Sequence, residues 1–246
     1  MADIKKTVLI TGSTRGIGLA FAAYYVKAGW NVIGTARSNS NTDQVQVSLK
    51  ALSPFKIVTL DASDEASVLE AARQLEGVPI DLLINNAGIG FYTTFATATK
   101  DSLMSPFEVN VVGPFLITRA LLPSLQLAVK ANGAAFVLQV SSIVASISSN
   151  TDEYAHYFRG NYGYTASKAA LNMVTRSLAM DLREHNVAVM AIHPGYVTTD
   201  LTMGQGDLKP ADAVTTMADI IAKLSLKDTG KFFNADSTIN ASELPW

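Results

Sequence analysis

Short apolar segments alternate with longer amphipathic segments along almost the whole 246-residue chain. The segments that predict strands are residues 7–10, 31–36, 56–59, 82–85, 134–140, 187–193 and 231–234. Helical periodicity occupies residues 16–28, 64–75, 101–130, 161–184 and 210–224. The first six strands are apolar on both faces, which is typical of strands buried in a parallel sheet. The alternation therefore predicts an α/β fold, with one doubly wound Rossmann-type domain over residues 1–246 and helices on both faces of a mostly parallel seven-stranded sheet.

Charge and composition exclude several classes of function. A net charge of −2 without a basic stripe argues against nucleic acid as a partner. The chain has no cysteine, which excludes disulfides and cysteine nucleophiles, and its three histidines are too scattered to suggest a metal site. Its apolar runs are too short for a membrane span or a secretory signal. We therefore expect a cytoplasmic protein that uses no metal and binds no membrane.

A glycine-rich turn follows the first predicted strand. Residues 11–18 read Thr-Gly-Ser-Thr-Arg-Gly-Ile-Gly and run directly into a helical segment. Glycines let the backbone turn tightly and approach a pyrophosphate, which then rests on the unpaired amides of the helix N-terminus. At the first strand of an alternating α/β chain, this turn predicts a dinucleotide cofactor site.

Tyr164 and Lys168 lie four residues apart in a predicted helix and therefore share one of its faces. An ammonium group in this position favours the phenolate form of tyrosine, so we expect it to lower the phenol pKa from its usual value of about 10. Such a phenol can exchange a proton with a carbonyl or alcohol oxygen. Tyrosines and lysines also meet on many helices without any catalytic role, so this interpretation depends on the rest of the chain.

Together, the glycine turn and the tyrosine–lysine pair resemble motifs of the short-chain dehydrogenase/reductase family. Two further motifs occur in the order that this family has, Asn-Asn-Ala-Gly at residues 85–88 and Pro194-Gly195 with Thr199. The resemblance covers essentially the whole chain. The carboxyl end, from Gly-Lys-Phe-Phe-Asn at 230–234 to the terminal Leu-Pro-Trp, is in addition similar to that of the C-factor and sniffer-type carbonyl reductases.

The resemblance implies a role for each catalytic position. Tyr164 corresponds to the proton donor, and Lys168 to the residue that lowers its pKa and binds the nicotinamide ribose. Ser142 corresponds to the serine that steadies the substrate oxygen, with Ser141 as the competing choice. Asn110 corresponds to the asparagine that holds a helix bulge and a water of the proton relay.

The resemblance also implies a set of cofactor contacts at the carboxyl ends of the strands. They are Gly12, Ser13, Thr14, Arg15, Gly16, Ile17, Gly18, Arg37, Asp61, Ala62, Asn86, Ala87, Gly88, Tyr164, Lys168, Pro194, Gly195, Val197 and Thr199. An acid at the end of the second strand suits NAD, and an arginine there suits the 2′-phosphate of NADP. Here Ala36 is followed by Arg37, and Arg15 adds a second cation, so NADPH is the expected cofactor. The alternative is that both arginines are solvated surface charges.

The segment before the tyrosine is long for the family, with Ser142 and Tyr164 separated by 22 positions. Residues 146–160 therefore form either a surface excursion or a wall of the substrate pocket that carries Tyr154, His156, Tyr157 and Phe158. The expected pocket residues are Phe91, Tyr92, Ser142, Val144, Tyr157, Tyr196 and Leu201. Both interpretations predict a largely apolar pocket.

We therefore expect an NADPH-dependent enzyme that reduces a ketone or aldehyde to an alcohol. Its partner is a small carbonyl or alcohol substrate, and the long helices allow a homodimer or homotetramer. One alternative is an alcohol dehydrogenase or a biosynthetic ketoester reductase of the same family. A remote alternative is a sensor that binds NADPH without turnover.

Overall fold

The computed structural model describes residues 5–38 and 43–246. Within these residues, seven strands form one parallel sheet with the order β3-β2-β1-β4-β5-β6-β7. The strands are β1 (Thr7–Ile10), β2 (Asn31–Ala36), β3 (Lys56–Thr59), β4 (Leu82–Asn85), β5 (Ala135–Val140), β6 (Val187–His193) and β7 (Phe232–Asn234). The predicted fold class is confirmed, and the sheet is parallel throughout.

Helices cover both faces of this sheet. They are α1 (Gly16–Lys27), α2 (Asp43–Ala51), α3 (Glu65–Gln74), α4 (Lys100–Phe107), α5 (Gly113–Ala120), α6 (Leu122–Asn132), α7 (Ala155–Phe158), α8 (Tyr162–Asp181) and α9 (Pro210–Ile221). Alternate residues of each strand enter two separate cores, as the pleat of a sheet requires. One core packs the sheet against α3, α5, α6 and α8, and the other packs it against α1, α2 and α9.

The strand order places the site at one edge of the sheet. The chain leaves β1 on one side toward β2, and later returns to pair β4 with the other side of β1. Ligands of such sheets bind in the crevice at the carboxyl ends of the strands, where the strand order reverses. The glycine turn after β1 and the segments after β4, β5 and β6 all lie at this edge.

The helix expected over residues 101–130 is broken into three, which corrects the sequence prediction. A π-helical segment, Glu108–Val112, separates α4 from α5, and the helical stretch Lys100–Ala120 meets α6 at an angle of 55°. Pro114 and Pro123 lie in the first turns of α5 and α6. Proline has no N–H group and therefore interrupts the hydrogen bonds of a helix interior, but it is tolerated in the first turn of a helix. The two prolines thus fit the starts of new helices.

Two helices were not predicted. Helix α2 is a short segment after β2 whose Leu49 is buried against the sheet. Helix α7 is a single turn inside the segment 146–160, which was expected to be a loop throughout. Helices this short depend on tertiary contacts for their stability, so their local sequence pattern is weak.

Among the described residues, no single helix has both the length and the hydropathy to cross a membrane. The bent pair Lys100–Ala120 and Leu122–Asn132 meets these criteria by length and composition only.

Candidate active site

The glycine turn, which joins β1 to α1, forms a cradle in which the backbone of Gly12, Gly16 and Gly18 makes close approaches to its neighbours. Gly12 and Gly16 have φ angles of 63° and 53°, in the left-handed region that favours glycine. A Cβ atom on Gly12 would lie 3.0 Å from the Cα of Ala87, and a Cβ atom on Gly18 would overlap the carbonyl oxygen of Gly12. Helix α1 starts at Gly16, so its unpaired amides face this space. The cradle therefore fits the pyrophosphate of a dinucleotide.

Hydrogen bonds lock the cradle to the segment after β4. The side-chain amide of Asn86 donates to the carbonyl oxygens of Thr11 and Gly12 at 2.9 and 3.2 Å. The backbone N–H groups of Asn86 and Ala87 donate to the Thr11 hydroxyl at 2.9 and 3.0 Å. Thr11 was not among the predicted site residues. Its role arises from contacts with residues about 75 positions away, which local pattern does not show.

The buried side chain of Ser13 has a structural role in the glycine turn, and its contact with the cofactor stays a prediction. Ser13 is fully buried, and its hydroxyl accepts from the Thr35 N–H at 2.7 Å and donates to the Thr35 carbonyl at 3.1 Å. Its own N–H donates to the same carbonyl at 3.4 Å. Because these groups are engaged with β2, Ser13 holds the turn against the sheet.

Charged groups flank the cradle at the ends of β2 and β3. Arg37 is exposed after β2. Partial burial raises the pKa of the Asp61 carboxyl, but hydrogen bonds from Ser63 and the charge of Arg37 bring it below its usual range. Arg15 forms an exposed ion pair with Asp200, with Nε and carboxylate oxygen 3.1 Å apart. Because such an exposed pair contributes little to stability, Arg15 can leave Asp200 and bind another anion.

The segment after β6 closes on the same cradle. A Cβ atom on Gly16 would lie 3.4 Å from the Cγ2 of Thr199. Within this segment, Pro194 and Val197 are buried, and Gly195 has a φ angle of 89°. The remaining predicted contacts lie around the cradle: Thr14 and Ile17 are half-buried, Ala62 is buried, and Gly88 is exposed.

Tyr164 and Lys168 lie one turn apart on α8, with the Lys168 Nζ 5.7 Å from the centre of the Tyr164 ring. Lys168 is buried, and its ammonium donates to the Val140 carbonyl at the end of β5 at 2.7 Å. Burial lowers the pKa of Lys168 to about 8. Burial also raises the pKa of Tyr164 to about 12, although a hydrogen bond with Ser142 opposes this. The expected lowering of the phenol pKa is thus absent in the protein alone, because loss of hydration outweighs the hydrogen bond with Ser142.

The two serines after β5 point to different environments. The Ser141 hydroxyl is buried and donates to the Asn172 side-chain oxygen at 2.7 Å. Ser142 is half-buried and is hydrogen-bonded to Tyr164. Its oxygen also accepts from the Val144 N–H at 3.4 Å. Ser142 is therefore the serine that faces the tyrosine, and Ser141 anchors the strand end to α8.

Asn110 lies inside the π-helical segment and is completely buried. Its side-chain oxygen accepts from the Ile89 N–H at 2.9 Å, and its amide donates to the Ile89 carbonyl at 2.8 Å and to the Ser167 hydroxyl at 2.9 Å. Asn110 thus connects the π-helical segment, the loop after β4 and α8. Such π-helical bulges often occur at functional sites.

The segment 146–160 packs beside Tyr164. Tyr157 and Phe158 contact the same apolar cluster as Tyr164, together with Trp246 from the carboxyl end. The Tyr157 ring meets the Tyr196 ring edge-on, with centroids 6.2 Å apart. Tyr157 and Phe158 therefore attach this segment to the same apolar cluster as the tyrosine, and its role as a pocket wall stays a prediction.

The other expected pocket residues differ in how exposed they are to solvent. Val144 is buried within the apolar cluster, whereas Phe91, Tyr92 and Leu201 are 46%, 68% and 45% exposed. The exposed side chains lie on the loops after β4 and β6, which border the carboxyl edge of the sheet. Tyr157 and Tyr196 are half-buried, and the place of all these residues in a substrate pocket stays a prediction.

His193 is buried at the end of β6, with its Nε2 3.8 Å from a carboxylate oxygen of Asp236. Its Nδ1 has no hydrogen-bond partner among the described residues. Burial lowers the pKa of the His193 imidazole to about 4, although the charge of Asp236 opposes this. The imidazole is therefore neutral at neutral pH, and its contact with Asp236 is not an ion pair.

We expect His193 to make the fold sensitive to acid. In the unfolded chain an imidazole takes up its proton near pH 6.5, whereas in the folded protein it does so only near pH 4. Between these two pH values the unfolded state binds more protons than the folded state. The free energy of unfolding therefore decreases as the pH is lowered through this range, by about 3 kcal/mol in all. Denaturant unfolding at about pH 6.5 and 4.5 should show a smaller loss for His193→Asn than for the wild type. Equal losses would show that another group is responsible.

The parallel sheet and its glycine cradle define the class of the protein, a dinucleotide-binding α/β domain. The family model of the short chain dehydrogenases matches residues 6–209. The chain belongs to this family of oxidoreductases.

Relatives and solved structures agree with this assignment. An NADPH-bound carbonyl reductase from chicken fatty liver has a TM-score of 0.86 and 32% identity, over 98% of this chain and 99% of the other. The carbonyl reductase Sniffer of D. melanogaster has a TM-score of 0.86 and 29% identity, over 99% of this chain and 100% of the other. C-signal from Myxococcus xanthus is 35% identical over 169 residues, which are 68% of this chain and 93% of that protein. The resemblance to sniffer-type carbonyl reductases is confirmed.

Proposed function

We propose that the protein reduces the carbonyl group of a ketone or aldehyde to an alcohol, with NADPH as the cofactor. The observation that carries the proposal is the grouping of four side chains beside the glycine cradle. A Cβ atom on Gly88 would lie 3.2 Å from the Asn110 Oδ1 and 3.6 Å from the Lys168 Nζ. Tyr164 lies one turn before Lys168 and is hydrogen-bonded to Ser142.

NADPH is supported by the charges beside the cradle and by the relatives. Arg37 follows β2 at the position where a 2′-phosphate would be bound, and its charge acts on Asp61. An arginine suits a phosphate because its planar guanidinium group donates two parallel hydrogen bonds. The similar reductase from chicken fatty liver is bound to NADPH. The cofactor would be held by the glycine cradle, Asn86, Arg37 and Lys168.

The side chains of the site divide the work of the reaction. When bound, the reduced nicotinamide supplies the hydride that the carbonyl carbon accepts. Ser142 donates a hydrogen bond that holds the carbonyl oxygen as negative charge develops on it. Tyr164, whose burial keeps its pKa near 12, is protonated at neutral pH and donates its proton to that oxygen. The Lys168 ammonium stabilises the phenolate that remains, and Asn110 fixes the surrounding backbone.

The shape of the site supports an apolar substrate. Tyr157, Phe158 and Val144 belong to one apolar cluster that reaches Tyr164. Tyr196 closes this wall from the segment after β6. Uncharged carbonyl compounds with aliphatic or aromatic substituents fit such a wall better than phosphorylated or carboxylated ones, because burial of an unpaired charge is costly.

A substrate panel tests the proposed function. Purified protein is supplied with NADPH or NADH in parallel, and with apolar ketones, diketones, aldehydes and quinones. We expect NADPH consumption with at least one uncharged carbonyl compound, a slower rate with NADH, and one alcohol formed per NADPH consumed. Tight NADPH binding without turnover of any reactive diketone or activated aldehyde would instead support the non-catalytic sensor.

A further inference from the structure

Gly90 lies directly against the ring of Tyr164. A Cβ atom on Gly90 would be 2.8 Å from the ring Cδ2, 3.2 Å from Cγ and 3.4 Å from the Tyr164 Cβ. A contact of 2.8 Å is closer than carbon atoms pack, so the ring could not keep its place. The φ angle of Gly90 is outside the left-handed region. The backbone at this position would accept alanine, and the three nearest atoms that its Cβ would meet all belong to Tyr164.

The backbone around Gly90 is held on both sides. Asn110 binds the N–H and the carbonyl of Ile89 at 2.9 and 2.8 Å, so the residue before Gly90 is fixed to the buried π-helical segment. Three residues after Gly90, the N–H and the hydroxyl of Thr93 donate to the Gly160 carbonyl at 2.9 and 3.2 Å. The loop backbone therefore has little freedom to move away from the tyrosine if position 90 carries a side chain.

Tyr164 itself has little freedom to move away. The position of its Cβ is fixed by the backbone of α8, and this atom is within reach of a side chain at position 90. The ring is bordered by the apolar cluster that includes Val144 and Phe158. Rotation of the ring would also carry its hydroxyl away from Ser142, its hydrogen-bond partner.

We propose that the Ile89–Gly90 backbone, fastened by Asn110, is the surface on which the Tyr164 ring rests, and that Gly90 is a positioning residue for the proton donor. This inference deepens the proposed function and rests on it. The buried Asn110 side chain then has a positioning role, because its two hydrogen bonds to Ile89 fix the backbone against which the tyrosine ring packs. It also explains why a residue without a side chain occurs two positions after the Asn-Asn-Ala-Gly motif.

Gly90→Ala tests the inference in the full-length enzyme. We expect kcat to fall about 10- to 100-fold, which is the usual loss when a reacting group is misplaced by about an ångström. The dissociation constant of NADPH should stay within about twofold, because the glycine cradle is untouched. Gly29→Ala is the matched control. Its φ angle of 82° makes alanine costly, and its Cβ would meet no described atom within 4 Å, so stability should fall while kcat is kept.

A double-variant cycle separates positioning from general damage. In the Tyr164→Phe background there is no hydroxyl to misplace, so Gly90→Ala should change the residual rate by less than about twofold. A loss of the same factor in both backgrounds would overturn the inference. A wild-type kcat in Gly90→Ala would overturn it as well.

Thermal unfolding provides a test that needs no activity. Tyr164→Ala removes the ring, so the loss of Tm caused by Gly90→Ala should be smaller in that background than in the wild type. The same holds if Gly90→Ala alone is insoluble, since the double variant should then regain solubility. Equal losses of Tm in both backgrounds would contradict the contact. An active wild type with an unaffected Gly90→Ala refutes this inference alone, whereas a wild type that reduces no carbonyl refutes the proposed function.

Discussion

Replacement of Tyr164 by phenylalanine should lower the rate of NADPH-dependent carbonyl reduction by about 10³-fold, within the range that a positioned general acid contributes. The substitution removes only the hydroxyl that donates the proton. The ring, with its contacts to Gly90 and to the apolar cluster, is retained. Steady-state rates with the best substrate of the panel measure the effect.

The same variant should remain folded and should still bind NADPH. The lost hydroxyl makes one hydrogen bond with Ser142, so the cost in stability is about 1 kcal/mol. Tyr162→Phe is the matched control, because Tyr162 lies on the same helix two residues earlier and is 45% exposed. It should keep the full rate. A Tyr164→Phe enzyme with a near-normal rate would remove Tyr164 from the mechanism.

Replacement of Arg37 by alanine should weaken NADPH binding by about 10- to 100-fold, because a charge-assisted hydrogen bond to phosphate contributes about 1.5–3 kcal/mol. NADH has no 2′-phosphate, so its affinity should stay within about twofold. Addition of Ala36→Asp should favour NADH further, since an acid at this position binds the ribose hydroxyl. Fluorescence titration of each variant with both cofactors measures these changes.

Arg73→Ala is the control for the loss of a surface arginine. Arg73 is exposed on α3, where it pairs with Glu70 at 2.7 Å, and it should affect neither cofactor. If Arg37→Ala weakened the binding of NADPH and NADH equally, Arg37 would support the structure of the site and would not bind the 2′-phosphate. Unchanged affinity for both would assign the phosphate to another group, such as Arg15.

The strands were predictable because each is a short, mostly apolar run that alternates with segments of helical periodicity. Six of them are buried over most of their length, and the observed bounds differ from the predicted ones by at most one residue. The glycine turn was equally visible, since close backbone approach leaves a sequence signal that does not depend on distant residues. The order of these segments fixed the edge of the sheet where the site lies.

The break at Asn110 did not follow from periodicity, because the pattern over residues 101–130 stays helical through it, and only the family resemblance implied a bulge there. The two hydrogen bonds that Asn110 makes at this bulge go to Ile89, which is 21 residues away in sequence. The position of Ser13 has a similar origin, since its partner Thr35 belongs to the neighbouring strand. Contacts of this kind depend on how the finished sheet brings segments together.

The electrostatics of the tyrosine also required the structure. The spacing of Tyr164 and Lys168 predicted that they are neighbours, and they are. It did not predict that both are desolvated, or that the lysine binds the Val140 carbonyl. Burial therefore moves both pKa values in the direction that disfavours charge.

Transfer of deuterium from the cofactor to the product tests whether the enzyme reduces a carbonyl group. The wild-type enzyme is given NADPH in which deuterium replaces both hydrogens at C4 of the nicotinamide, together with the best carbonyl substrate of the panel, and the product is analysed by mass spectrometry and NMR. We expect an alcohol with one deuterium on the former carbonyl carbon, formed in step with NADPH consumption and lost in Tyr164→Phe. An alcohol without deuterium, or NADPH binding with no alcohol from any substrate of the panel, would contradict it.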